Sequence, residues 1–183
     1  MKDKMQSEYP LQILCEFDDI WHIEDDSEEQ ENFEQYVARA VIAAFEHSKY
    51  HRAFKSAKHI EISILFSNDE NIHQLNKEYR QKDKPTNILS FPMVDEDELS
   101  MDGDNQSLST PILMLGDLAL AHETIQRECA EKDWPLRDYL AHLIIHGTLH
   151  LLGMDHIDDN EAEIMEGQEI KALASLGIAN PYS

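Results

Sequence analysis

A chain of 183 residues, 42% hydrophobic and carrying a net charge of −22, is expected to form one domain over 1–183 that buries about two-thirds of its unfolded surface. It has no run near the roughly 18 apolar residues of a membrane helix, and MKDKMQSEYPLQILCEF has neither the apolar core nor the cleavage site of a secretory signal. Two cysteines, Cys15 and Cys129, are too few for a disulfide framework, so a reducing cytoplasm is the expected location and no membrane partner is expected.

In chain order, LQILCEF (11–17) predicts a first strand. Ser27-x-x-Gln30 is a capping box that opens a helix, with Phe33, Tyr36, Val37, Ala40, Val41 and Ala44 at helical spacing. IEISILF (60–66) predicts a second strand, and Ser67-x-x-Glu70 the start of a helix with Ile72, Leu75 and Tyr79 on one face. Lys84-Pro85-Thr86 turns into a short strand, NILSF (87–91). A fourth strand, ILMLGDLAL (112–120), contains Gly116, which predicts a bulge or a close backbone approach. Three helices follow, over His122–Lys132, Leu136–Leu152 and Asp159–Leu176, with Pro135 in the first turn of the second and Gly177 stopping the third. Residues 1–10 and 95–110 are expected to be flexible. The fold class expected is α+β: a small mixed four-stranded sheet packed with about five helices, its second and third strands joined through a helix.

The charge is unevenly spread. Ten carboxylates and no Lys or Arg fall between Glu16 and Glu34, and six carboxylates lie between Asp95 and Asp104; such runs are ordinarily solvated faces or loops. Residues 49–84 hold eight of the fifteen Lys and Arg against five acids, a local +3, while the rest has seven cations against 32 acids, −25. The field of so acidic a chain repels polyanions, and DNA is not expected as a partner. What survives is one basic island in an acidic molecule.

HGTLHLLGMDH (146–156) places three histidines in eleven residues. His146 and His150 stand at i and i+4, with Cβ atoms about 6 Å apart on one helix face, so both imidazoles can reach one ion at about 2.0–2.1 Å. Gly153 follows where a helix can end in a left-handed turn, and that reversal would swing His156 back to the same ion. Three protein ligands leave a fourth position for water, as in catalytic rather than structural zinc sites. The competing reading, histidines hydrogen-bonded within a core, would bury imidazoles at a cost unless each found a partner. His142, one turn before His146 on the same stripe, is assigned to packing against a ligand or holding it.

The same spacing occurs in metzincin proteases, whose H-E-x-x-H glutamate is the general base. Gly147 stands at that position. The metal scaffold is present and the protease's base is not, with Asp155 the nearest acid that could substitute.

With these residues in view, the chain resembles the YbeY family of bacterial metal-dependent endoribonucleases, the rRNA maturation factors. That family's signature, H-G-x-L-H-L-x-G-[YM]-D-H, is matched from His146 to His156, with Met154 where Tyr is frequent. A second block, L-N-x-x-Y-R-x-x-D-x-P-T-[DN]-V-L-S-F-P, is matched by LNKEYRQKDKPTNILSFP from Leu75 to Pro92, with Ile88 replacing Val and Asn87 at the Asp/Asn position. A third, L-G-D-I, appears as LGDL at 115–118. The resemblance covers about residues 60–177 and leaves out the acidic N-terminal segment and the 95–110 loop. It implies a zinc-bearing α+β fold distantly like metalloproteases, with a zincin-like metal helix, and cleavage of single-stranded RNA. It also implies maturation of the 3′ end of 16S rRNA and ribosome quality control, with the ribosome or its proteins as partners. The family's metal ligands carry over to His146, His150 and His156, and its functional arginine to Arg80.

Arg80 also has a case of its own. It lies in the basic island just before the Pro85 turn, flanked by Lys77, Lys82 and Lys84, the candidate RNA contacts. A guanidinium can bind a phosphodiester through two oxygens and offset charge developing in its transition state; an ordinary salt bridge to Glu78 or Asp83 is the alternative. The expected chemistry is metal-assisted phosphodiester hydrolysis. One Zn2+ per chain, or another divalent ion such as Ni2+, lowers the pKa of its bound water toward about 7. Arg80 shares the charge on phosphorus, and Asp155 orients a ligand or handles protons. Two other readings stay open: a zinc metallopeptidase-like hydrolase with a base from elsewhere, and a non-catalytic ribosome-associated metal-binding protein.

Overall fold

The computed structural model describes residues 9–21, 32–95, 99, 112–154 and 159–182. Strand β1 (Leu11–Phe17) is followed by helices α1 (Phe33–His47) and α2 (His51–Ser56), strand β2 (His59–Ser67) and helix α3 (Asp69–Arg80). Strands β3 (Ile88–Pro92) and β4 (Ile112–Ala121) come next, then helices α4 (His122–Lys132), α5 (Leu136–Leu151) and α6 (Asp159–Ser175). About five helices are expected from the sequence, and six are present among the described residues. The extra one, α2, is six residues long, too short for a helical period to show, and is anchored by the fully buried Phe54.

The strands form one mixed sheet in the order β1-β2-β4-β3, with β1, β2 and β4 parallel and β3 antiparallel at an edge. Although α3 joins β2 to β3, they are not neighbours. β4 lies between them because it is apolar on both faces: Leu113, Leu115, Leu118, Ala119, Leu120 and Ala121 are all buried, the pattern of an interior strand. β3 ends in Pro92, which suits an edge. On β2, Ile60, Ile62, Ile64 and Phe66 are at most 1% exposed and face a core shared with α1, α5 and α6. Burying such a side chain stabilises the fold by about 1.5–3 kcal/mol. On the other face, Ile72 and Leu75 of α3 pack with Leu89, Ala119 and Ala121.

Gly116 is a bulge. A Cβ on it would lie 2.1 Å from the Phe91 carbonyl oxygen, and its φ is +124°. The β2–β4 register slips there, Glu61 pairing with Met114 and Ile62 with Gly116, which leaves Leu115 out of the ladder. The Leu115 carbonyl instead accepts the Met93 N–H at 3.0 Å, just past the end of β3.

Two helix starts differ from expectation. Asn32 caps α1, its side chain accepting from the Gln35 N–H at 2.8 Å; Ser27 lies outside the described residues. Asn68 caps α3, accepting from the Asn71 N–H at 2.9 Å. Ser67 cannot serve there because it is still in the sheet, paired with Ala121, and gives its hydroxyl to Asp18. Both acidic or terminal stretches also carry an apolar anchor. Tyr9 is 3% exposed and meets Phe45 edge-on, and Leu99 is 1% exposed within the main core. The other residues of 1–8 and 96–111 lie outside the described ones. Among the described residues no helix is long and apolar enough to cross a membrane.

Candidate metal centre and nucleic-acid cleft

From Tyr139 to Leu152, every residue is buried except His142, His146 and His150. A helix apolar on all sides belongs in an interior. The one stripe of α5 left open, at i, i+4 and i+8, is histidine at each position. Gly147 lies against the sheet: a Cβ there would come 2.8 Å from Ile88 Cδ1 and Leu118 Cδ2, and 3.2 Å from Ser90 Oγ. An alanine would push methyl ends aside, whereas a glutamate would drive a carboxylate into an apolar contact. The missing protease base therefore has a packing cause.

The end of α5 orders the His150 ring. Gly153, at φ +75°, donates to the His150 carbonyl at 3.0 Å, and the Met154 N–H donates to the Leu149 carbonyl at 3.1 Å. This paired closure is the glycine C-cap of a helix. It brings the Met154 carbonyl to His150, whose Nδ1 donates to it at 2.9 Å. A carbonyl only accepts, so Nδ1 holds the proton and Nε2 of the neutral ring holds the lone pair.

His146 is fixed from α6. Its Nδ1 donates to Glu169 Oε1 at 2.6 Å, and that carboxylate is 1% exposed. Glu169 Oε2 accepts from His142 Nε2 at 3.3 Å and from the Tyr182 hydroxyl. Burial alone would push this carboxyl up, but hydrogen bonds from His142, His146 and Tyr182 outweigh it and hold the group down at about 2. With both Nδ1 atoms donating, the two Nε2 atoms face each other 3.1 Å apart. In the neutral tautomers both would aim a lone pair at one point, which a cation can share. Two nitrogens bound tetrahedrally to one ion at 2.0–2.1 Å would stand about 3.3–3.4 Å apart, so His146 and His150 fit two ligand positions of a divalent ion such as zinc. The predicted third ligand, His156, and the predicted proton handler, Asp155, lie outside the described residues. Among the described residues, no group of three or more His, Cys, Asp or Glu is arranged to hold an ion.

His146 and His150 open on a cleft of about 490 Å³, with Arg80, Lys82, Lys84 and Thr86 on its other wall. No Asp or Glu lines it among the described residues, although the chain has 37 acids. Arg80 is the last residue of α3, where Gln81 turns the chain through the left-handed conformation at φ 56°. The buried Asn76 holds that turn, its side chain donating to the Lys84 carbonyl at 2.7 Å and its own carbonyl accepting the Lys82 N–H at 3.2 Å. Arg80 Nη2 donates to the Ser90 carbonyl at 2.8 Å, not to Glu78 or Asp83. Its guanidinium is thus aimed by β3 and keeps further donors for a ligand.

Lys77 is not brought to this wall. Its ammonium pairs with Asp83 at 3.0 Å, and His73 bonds the same carboxylate at 2.7 Å; hydrogen bonds from Lys77 and His73 hold the exposed Asp83 carboxyl below its ordinary value. His142 reaches His146 by an edge-on ring contact, with centroids 6.3 Å apart, and through Glu169. Glu169 itself is not anticipated from the sequence, yet a signal exists: a carboxylate on the same α6 stripe as Met165, Ala172 and Leu173, all at most 1% exposed. Tyr182, beyond the helix, carries no comparable signal.

A family model described as Endoribonuclease YbeY matches residues 21–177, reaching further toward the N-terminus than the 60–177 that the motifs cover. Three relatives bearing the same name are similar over most of the chain. The one from Rhizorhabdus wittichii is 47% identical over 152 residues, 83% of this chain and 88% of that protein. The one from Erythrobacter litoralis is 54% identical over 124 residues, covering 67% and 74%. The one from Zymomonas mobilis is 42% identical over 173 residues, covering 94% and 93%. A solution structure from Thermotoga maritima is similar over 91% of this chain and 92% of that one, at 16% identity and a TM-score of 0.49, a likeness too loose to place side chains. Length coverage, identity and the two long motifs agree: this chain belongs to the YbeY family of endoribonucleases.

Proposed function

We propose that this chain cleaves single-stranded RNA with one divalent ion, zinc or alternatively nickel, held by His146, His150 and His156. The observation that carries this reading is the cleft: three cations and no described carboxylate face two converged histidine nitrogens in a protein of net charge −22. A bound ion of this kind supplies Lewis acidity and a water of lowered pKa, about 7 for zinc.

The chain's own residues do the rest. Arg80, aimed by the Ser90 carbonyl, presents its remaining N–H groups to a phosphodiester and shares the charge that develops on the phosphoryl oxygens. Lys82 and Lys84 contact neighbouring phosphates. Glu169 and the Met154 carbonyl hold the Nδ1 protons of His146 and His150, which keeps both Nε2 atoms available as ligands. Asp155 orients a ligand or handles a proton. Family membership extends the reading to the 3′ end of 16S rRNA and to ribosome quality control in the cytoplasm, with ribosomal proteins adding the positive charge this chain lacks.

The peptidase reading loses support at Gly147, where the sheet leaves no room for a base. The test is incubation of purified protein with single-stranded RNA and with casein, with and without chelator. RNA cleavage that stops with chelator, and intact casein, are expected. RNA cleavage indifferent to chelator would sink the metal chemistry. His150→Ala is expected to lower bound metal well below one ion per chain, and full retention would refute the ligand assignment.

A further inference from the structure

Resting on the metal reading above, we propose that the C-terminal end of the chain belongs to the metal site. Tyr182, acting through Glu169, is a positioning residue for the ligand His146, so docking of the C-terminal turn and retention of the ion are coupled.

The geometry begins at the end of α6. Gly177, at φ +76°, donates to the Ala174 carbonyl at 3.0 Å, and the Ile178 N–H donates to the Leu173 carbonyl at 3.0 Å. This is the closure that also ends α5 at Gly153. In each case the reversed chain delivers a group that steadies a ligand. Past Gly153 it is the Met154 carbonyl, on His150. Past Gly177 it is Tyr182, whose N–H donates to Asn180 Oδ1 at 2.9 Å and whose hydroxyl donates to Glu169.

Glu169 divides its two oxygens. Oε1 accepts from His146, while Oε2 takes both His142 and the Tyr182 hydroxyl. A carboxylate 1% exposed is costly unless its oxygens are satisfied. The donors on Oε2 therefore set the rotation of the carboxylate, and that rotation sets the approach of Oε1 to the His146 ring. The Tyr182 ring also meets His142 edge-on, with centroids 6.0 Å apart, closing the group on itself. Tyr182 as a residue is 46% exposed and fills no core space, so its inward hydroxyl serves this contact rather than general packing.

Two consequences follow from general chemistry. Carboxylates that hold the far nitrogen of a metal-bound imidazole fix its tautomer, and their loss ordinarily weakens metal binding roughly 10–100-fold. Coupling is also reciprocal: if the docked turn favours the ion, the ion favours the docked turn by the same factor.

The test uses the full chain stripped of metal by chelator dialysis, with Zn2+ titrated against a chromophoric competitor. Glu169→Gln is expected to weaken Zn2+ binding roughly 10–100-fold, and Tyr182→Phe by about fivefold or more, the low end of ordinary coupling. In the zinc-free protein, nitrogen NMR of His146 is expected to show the proton on Nδ1 in wild type and a mixture of tautomers in Glu169→Gln, a change a merely structural role would not produce. Amide exchange over residues 178–182 is expected to slow on adding Zn2+ to wild type and to respond less in Tyr182→Phe. If wild type and His150→Ala bind Zn2+ alike, the metal reading falls and this coupling with it. If His150→Ala loses Zn2+ while Tyr182→Phe binds it as wild type does, the coupling alone is overturned. Should Glu169→Gln fail to fold, Tyr182→Phe decides the matter.

Discussion

The two walls of the cleft are built by opposite means. On the histidine wall, α5 from Tyr139 onward is buried on every other side, and the Nδ1 of each candidate ligand ring donates to a fixed acceptor, Glu169 for His146 and the Met154 carbonyl for His150. On the basic wall, Arg80, Lys82 and Lys84 are exposed and stand on a turn held by Asn76 and the Ser90 carbonyl. A coordination site tolerates errors of only about half an ångström and so needs rings that cannot rotate. A flexible polyanion needs cations that can follow it. The difference teaches where mutations should damage the fold and where they should damage only recognition.

The sharpest break is Gly147→Glu, which forces a carboxylate between α5 and the side chains of Ile88 and Leu118. It is expected to cost about 3 kcal/mol or more, lowering the melting temperature by roughly 6–12 °C, without creating casein cleavage. A variant as stable as wild type would show that the histidine wall is looser than described. Next comes Arg80→Glu on the other wall. It removes one hydrogen bond to the Ser90 carbonyl, a loss of about 1 kcal/mol, yet is expected to slow RNA cleavage roughly 10²–10³-fold. A melting temperature as low as that of Gly147→Glu would erase the contrast between the walls.

Lys84→Ala should act more mildly, weakening RNA binding and reducing the slope of log affinity against log salt by about 0.7, one phosphate contact on a single strand. The smallest effect is expected for Lys77→Ala. Its ammonium is engaged with Asp83, an exposed pair worth under about 1 kcal/mol, and the salt slope should stay at the wild-type value. An equal drop in slope for Lys77→Ala and Lys84→Ala would place Lys77 on the RNA after all.

These walls were unequally legible in the sequence. The boundaries of β1, β4 and α4 to α6 could be read within a residue or two, because proline, glycine and apolar periods mark their ends. Gly116 announced its bulge, since an interior strand seldom carries a glycine without a close approach to explain it. Strand order could not be read the same way. The link through α3 suggests β2 beside β3, and only the burial of β4 on both faces places it between them. The cap of α3 went to Asn68 rather than Ser67, because a residue still paired in a strand, as Ser67 is, cannot also cap. Glu169 stands in an acidic helix where one buried carboxylate resembles its solvated neighbours. Tyr182 depends on a chain reversal that no local pattern encodes.

The sheet order has a consequence for synthesis. Among the described residues β3 has β4 as its sole neighbour in the sheet, and β4 is made after it. At about 5–20 residues per second, the turn bearing Arg80, Lys82 and Lys84 leaves the ribosome while the edge that will seat β3 does not yet exist. That edge appears once β4 has been added to β2, and the Gly147 contact can close on it only after α5 follows. A nascent chain that stops before Ile112 already carries Arg80, Lys82, Lys84 and the Ser90 carbonyl that aims the guanidinium, but nothing of the strand that seats β3.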